Sequence, residues 1–126
     1  MTVSEVPDTS NMIKLVELNL GKWKPFAVVI IDINYKVWGQ EGEIAPEVLD
    51  YFKKFPIKEM HTGDSVHNSN TFLMKVTEKT GIIVGINDTQ LSRLAAINLR
   101  GRISALSEFY NLEKFIDNID PSKETQ

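Results

Sequence analysis

The chain has no cysteine, and its longest unbroken apolar run, Phe26–Ile31, is six residues. Without thiols there are no disulfides, thiolate nucleophiles or Cys-ligated metals, and cysteine usage leaves the redox compartment open. A run of six falls far short of the roughly 20 residues that span a bilayer, so no membrane insertion is expected. Cationic excess is also lacking: Lys and Arg number 14 against 17 Asp and Glu, for a net charge of −3. Nucleic-acid binders concentrate far more basic charge on one face, so no nucleic-acid partner is expected. Met1–Asn11 is polar and acidic instead of basic then apolar, which is not a signal-peptide pattern. The expected compartment is cytoplasmic. No motif calls for a cofactor.

What is present is a 126-residue chain of ordinary globular composition, 42% apolar and 25% charged, sized for one domain. Its most informative feature is a pair of stretches, Phe26–Ile31 and Ile82–Ile86, in which consecutive positions are apolar. A strand with one wet face alternates, so continuous runs imply strands covered on both faces. They should lie side by side at the centre of a sheet sandwiched between helices.

Around them the chain reads as helix, strand, strand, helix, three strands, helix. Ser10 opens a helix that carries Met12, Ile13, Val16 and Leu20 on one side and stops at Gly21. The first apolar strand, 26–33, turns near Asn34-Tyr35 and returns through Val37-Trp38-Gly39 as a hairpin. Pro46 and Glu47 suit the start of a second helix of about ten residues, which Pro56 ends. Residues 57–70 are polar and mixed, an edge strand or a loop. Phe72, Met74 and Val76 mark another strand, and Thr80-Gly81 turns the chain into the second apolar strand. Asp88 or Thr89 caps a last helix from Leu91 to Leu112, about 33 Å long if unbroken. Residues 1–9 read as a flexible arm, 10–112 as the domain and 113–126 as an acidic C-terminal tail.

The last helix holds the main candidate surface. At 100° per residue, Leu91, Ala95, Leu99, Ile103, Leu106 and Phe109 share a broad apolar face. Arg93 and Arg100 fall outside it, and with Ile97 they form a candidate partner-binding surface. Residues 89–112 carry Arg93, Arg100 and Arg102 against Glu108 alone. Asn98 and Arg102 land inside or beside the apolar face and are read as structural polar residues. A buried guanidinium needs a partner, and Asp32, the acid on the first apolar strand, is the expected one. Gly101 interrupts the helix at about 1 kcal/mol relative to Ala, which close backbone approach would explain. Trp38 either caps the core or stands exposed as a partner anchor.

His61-Thr62-Gly63-Asp64-Ser65-Val66-His67 holds both histidines. In an extended segment His61 and His67 share a face but lie about 20 Å apart, with Asp64 on the other side. The favoured reading is a polar edge or loop, with no metal and no catalytic residue.

This pattern resembles the roadblock/dynein-light-chain family, part of the wider longin-like group. The residues carrying the resemblance are Phe26–Asp32 with the return at Val37-Trp38-Gly39, the hairpin at Thr80-Gly81 and the helix from Thr89. The resemblance covers about residues 10–112. It implies an α+β fold in the order α-β-β-α-β-β-β-α, with an antiparallel five-stranded sheet sandwiched between helices. It also implies a non-enzymatic homodimer, often with the sheet extended across the partner, that serves as a platform for a small Ras-like GTPase or a larger complex. The alternative is a PAS- or profilin-like sensory domain, which requires Gly39, Gly85 and Arg102 to line a cavity.

Overall fold

In a computed structural model of the chain, residues 8–118 are described. They run α1 (Ser10–Leu20), β1 (Ala27–Asp32), β2 (Val37–Glu41), α2 (Pro46–Phe52), β3 (Ser65–Asn68), β4 (Thr71–Lys75), β5 (Thr80–Gly85), α3 (Thr89–Arg100) and α4 (Glu108–Asn118). Short 3-10 turns occupy 21–23, 57–59 and 103–105. The strands form one antiparallel sheet in the order β2-β1-β5-β4-β3. The two apolar strands are therefore neighbours, with Val28 opposite Val84 and Ile30 opposite Ile82.

Every residue of β1 and of β5 is buried, as continuous apolar runs require. Alternate side chains serve two cores. Val28, Ile30, Ile82 and Val84 pack with Met12, Val16, Leu20, Ala95, Leu99, Phe109 and Leu112 of the helices. Val29, Ile31 and Ile83 point the other way, onto Ile44, Phe52 and Ile57. One face is thus covered by α1, α3 and α4, and the opposite face by α2 and the turn after it.

The first helix spans the expected residues, although Asp8 and not Ser10 fixes its start. Asp8 Oδ1 accepts from the Ser10 amide at 2.9 Å and from its hydroxyl at 2.6 Å. The stop is Gly21 at φ +56°, a backbone conformation that glycine adopts without strain. Thr9, assigned to the arm from sequence, is buried in the space left by Gly39, and its hydroxyl donates to the Trp38 carbonyl.

The largest departure is the last helix. The single helix expected over 91–112 is two, separated by a turn at Gly101-Arg102 and the short 103–105 segment. A straight helix of about 33 Å would overshoot a six-residue strand of about 20 Å. The break falls at the weakest helix former and turns Leu106, Phe109 and Leu112 back into the core. The buried face of α3 is also rotated from expectation. It consists of Ser92, Ala95, Ala96 and Leu99, while Leu91 is 41% exposed.

The boundary expected at 112 falls inside α4, which continues to Asn118. Phe115 and Ile116 pack on the helical core, and the Phe115 ring meets Trp38 edge-on at 5.6 Å. Glu113 Oε2 accepts from the Lys79 amide at 3.1 Å, and Asp117 pairs with the Lys79 ammonium, so α4 is clasped to the β4–β5 turn. The rest of the expected tail, 119–126, and residues 1–7 of the expected arm lie outside the described residues.

Phe115→Ala is expected to cost about 1–2 kcal/mol, read as a lower urea midpoint. An unchanged midpoint would mean that α4 beyond Leu112 adds nothing to the folded unit.

Candidate interaction surface

The polar residues singled out in the sequence separate into structural ones and surface ones. Asp32 is structural and only 6% exposed. Its Oδ1 accepts from the amides of Asn34 at 2.8 Å and Lys36 at 3.1 Å, and its Oδ2 from Trp38 Nε1 at 2.9 Å. The expected Arg102–Asp32 pair does not form: Arg102 is exposed in the turn between α3 and α4, and Asp32 is saturated by its own hairpin. Trp38 is half-buried, bonded to Asp32, edged by Phe115 and covered by the Lys36 ammonium 4.4 Å from its ring centre. Its ring is held within the chain instead of standing free as an anchor. Asn98 donates to the Asn19 carbonyl at 3.1 Å, which ties α3 to α1.

The surface residues gather along one edge of the sheet. β3 pairs with β4 on one side only, so among the described residues its outer side faces no strand. Arg93 and Arg100 are seven residues apart, two turns of α3, and both turn toward this edge. The Arg93 charge acts on His67 of β3, and the Arg100 stem lies over Gly63, where a Cβ would sit 3.2 Å from Arg100 Cγ. Gly63, at φ +96°, is the residue that lets the chain pass so close beneath α3. Ile97, on the same side of α3 but nearer its crest, is 70% exposed.

The segment leading into β3 is fixed from the opposite face. Lys75 is 1% exposed, and its ammonium donates to the carbonyls of Lys58 at 3.2 Å and Met60 at 2.8 Å. Gly63 then donates to the Lys75 carbonyl and Asp64 accepts from its amide, prolonging the β3–β4 pairing. The Tyr35 hydroxyl lies 2.7 Å from the carbonyls of both Phe52 and Phe55 and so closes the end of α2 beside this edge. Lys75 did not stand out in the sequence, since a Lys on an alternating strand reads as solvent-facing, and Tyr35 was read only for the turn.

The histidines do not converge. The His61 side chain is 93% exposed, with Nδ1 3.6 Å from Asp64 Oδ2. His67 is half-buried against Phe72, with Nε2 3.2 Å from Ser65 Oγ. Among the described residues no three His, Cys, Asp or Glu side chains gather as a metal group. Burial, and then the Arg93 charge, hold the His67 pKa below its ordinary 6.5. The cavity of the sensory-domain alternative is filled: Thr9 occupies the space at Gly39, and the Phe26 ring lies over Gly85.

Asp32→Ala strands three donors inside the first hairpin and should destabilise by about 2–4 kcal/mol in urea titration. A loss of only a few tenths would show that water replaces the carboxylate there. Well above pH 6.5 His67 is neutral in both folded and unfolded chains. As pH falls past that value the unfolded chain takes up the proton first, so stability drops and levels off below the lower folded pKa. The urea midpoint should therefore fall as the pH drops through 6.5, and His67→Gln should flatten that slope.

The sequence matches no protein-family model and no curated protein. Solved structures do match. The gliding protein MglB from Thermus thermophilus superposes with a TM-score of 0.54 at 11% identity, over 86% of this chain and 96% of that one. A structure titled MglB with tetrameric arrangement gives 0.50 at 11% identity, over 83% and 92%. Identities this low carry the fold alone. The antiparallel five-stranded sheet with helices on both faces is the MglB fold, and the chain has the roadblock-type architecture that its sequence resembles.

Proposed function

We propose that the protein is a non-enzymatic interaction module: a homodimeric platform that receives a small Ras-like GTPase or a subunit of a larger complex. The observation that supports this reading is the open side of β3, lined by Arg93 and Arg100 on one face of the sheet. An edge strand with unpaired amides and carbonyls is a template for another strand. Two copies pairing there antiparallel would continue the sheet about a two-fold axis, the self-complementary arrangement that closed dimers use. The same axis would put both helical layers on one side of the joined sheet and both copies of α2 on the other. The arginines would border the seam, available to an acidic segment of the client. The similar structure titled as tetrameric is of a self-associating chain, which is in keeping with this reading.

Light scattering over a concentration series should give the mass of a dimer. Backbone exchange at Ser65–Asn68 should slow as concentration rises, because amides at a seam are protected only in the dimer. Arg93→Glu with Arg100→Glu should leave the dimer intact, since backbone pairing and α2 hold it. A dimer broken by that change would move the seam onto α3. A monomer persisting at high micromolar concentration would overturn the platform reading.

A further inference from the structure

The outer surfaces of α1 and α3 differ from the rest of the molecule in both polarity and charge. On α1 the buried residues Met12, Ile13, Val16 and Leu20 leave Lys14 and Leu18 pointing straight outward. On α3 the buried residues Ser92, Ala95, Ala96 and Leu99 leave Leu94 and Ile97 on the crest. Leu18 is 75% exposed, Ile97 70% and Leu94 51%, the highest exposures of any large apolar side chain among the described residues. The Asn98–Asn19 bond holds the two helices side by side where Ile97 and Leu18 adjoin it in sequence.

Cations lie close to these side chains in sequence. Residues 10–25 carry Lys14, Lys22 and Lys24 against Glu17, and residues 89–107 carry Arg93, Arg100 and Arg102 with no acid. These two stretches are basic in a chain whose net charge is −3. The acids next to them in sequence are each hydrogen-bonded within the chain, Glu108 to the Asn111 side-chain amide on α4. Glu17 shares a hydrogen bond with Glu41 at the β2 side, and that bond raises its pKa. Asp88 is held by the Leu91 amide at the start of α3, and Asp8 by the Ser10 amide at the start of α1. On α4, Glu113 and Asp117 are engaged at the β4–β5 turn.

We propose that this face, Leu18, Leu94 and Ile97 ringed by Lys14, Lys22 and Arg102, docks the protein on an anionic lipid surface. Complementary charge selects an anionic occupant, and the form of the face selects lipid over protein. A partner helix seats its apolar side in a groove, whereas here the apolar side chains stand on the crests of two helices. Protruding leucines among lysines and arginines suit a headgroup layer, which yields to each side chain and supplies negative charge around it. The contact is peripheral; among the described residues no helix is long and apolar enough to cross a membrane. The inference does not depend on the β3 seam, although a dimer joined there would present two such faces on one side and bind more tightly through avidity.

The test is co-sedimentation of the full chain with phosphatidylcholine vesicles, with and without phosphatidylserine, at low and at raised salt. Binding is expected only to the anionic vesicles and should weaken as salt rises. Leu18→Ser with Leu94→Ser, and separately Lys14→Glu with Arg102→Glu, should each reduce it by more than about tenfold. All four positions are exposed and away from β3, so melting temperature and the mass by light scattering should match wild type. A variant pair that loses vesicle binding with its mass unchanged thus reports on this face and not on the dimer. No sedimentation with anionic vesicles, or equal sedimentation with neutral ones, would overturn the proposal. So would full retention by the Leu18→Ser/Leu94→Ser variant, or capture of an acidic amphipathic peptide by a chain that ignores vesicles.

Discussion

The antiparallel pairing of β1 with β5 is the constraint on which the other elements depend. Both strands are buried at every position, so each face of the sheet must be covered along its centre. The chain meets this unequally. Three helices cover one face, while a seven-residue helix and a 3-10 turn cover the other. On the thin side coverage has to come very close. Gly81 permits it: a Cβ there would lie 2.8 Å from Ile57 Cδ1, so the glycine is what lets Ile57 reach the sheet.

The buried polar groups serve backbone geometry more than each other. Asp32 gathers two amides and an indole N–H into the first hairpin, and Lys75 gathers two carbonyls from the turn that precedes β3. Each converts an irregular connection into a fixed one, because a buried donor or acceptor is costly unless paired. The consequence reaches the surface. With the turn before β3 pinned by Lys75 and crossed by Arg100 at Gly63, the edge strand is held in place under the arginines of α3. An edge ordered in this way can be recognised by another strand at little entropic cost.

Charge is segregated by layer. The α1 and α3 surface is basic and carries the most exposed apolar side chains. The stretch from β1 through α2 holds five acids against one lysine, Lys36. The two proposed contacts use different parts of α3: its flank toward β3 carries Arg93 and Arg100, and its crest carries Leu94 and Ile97. A helix with one buried face has three others to offer, and here two of them are chemically distinct.

Element type and order were legible in the sequence because each rests on a local signal. Continuous apolar runs marked the central strands, 3.6-residue spacing marked α1, and Gly21 its end. The strand-or-loop ambiguity at 57–70 resolved into a turn and a short edge strand, which only pairing with β4 could decide. The break at Gly101 was visible as a weak point, but whether a weak point bends depends on the length of the sheet beneath. Arg93, Arg100 and Ile97 could be placed outside the buried face from helical spacing alone. That Arg93 and Arg100 overlook β3 follows from where α3 lands on the sheet. The Arg102–Asp32 pair was misread, and Lys75 gave no signal at all, for one reason: a side chain's partner is set by what tertiary packing brings within about 3 Å of it, and sequence distance does not encode that. By itself the sequence determined which segments must be buried on both sides. Only the tertiary structure decided which strands formed the edges and which residues came to stand beside β3, because those depend on how the strands pair and how the helices divide the two faces between them.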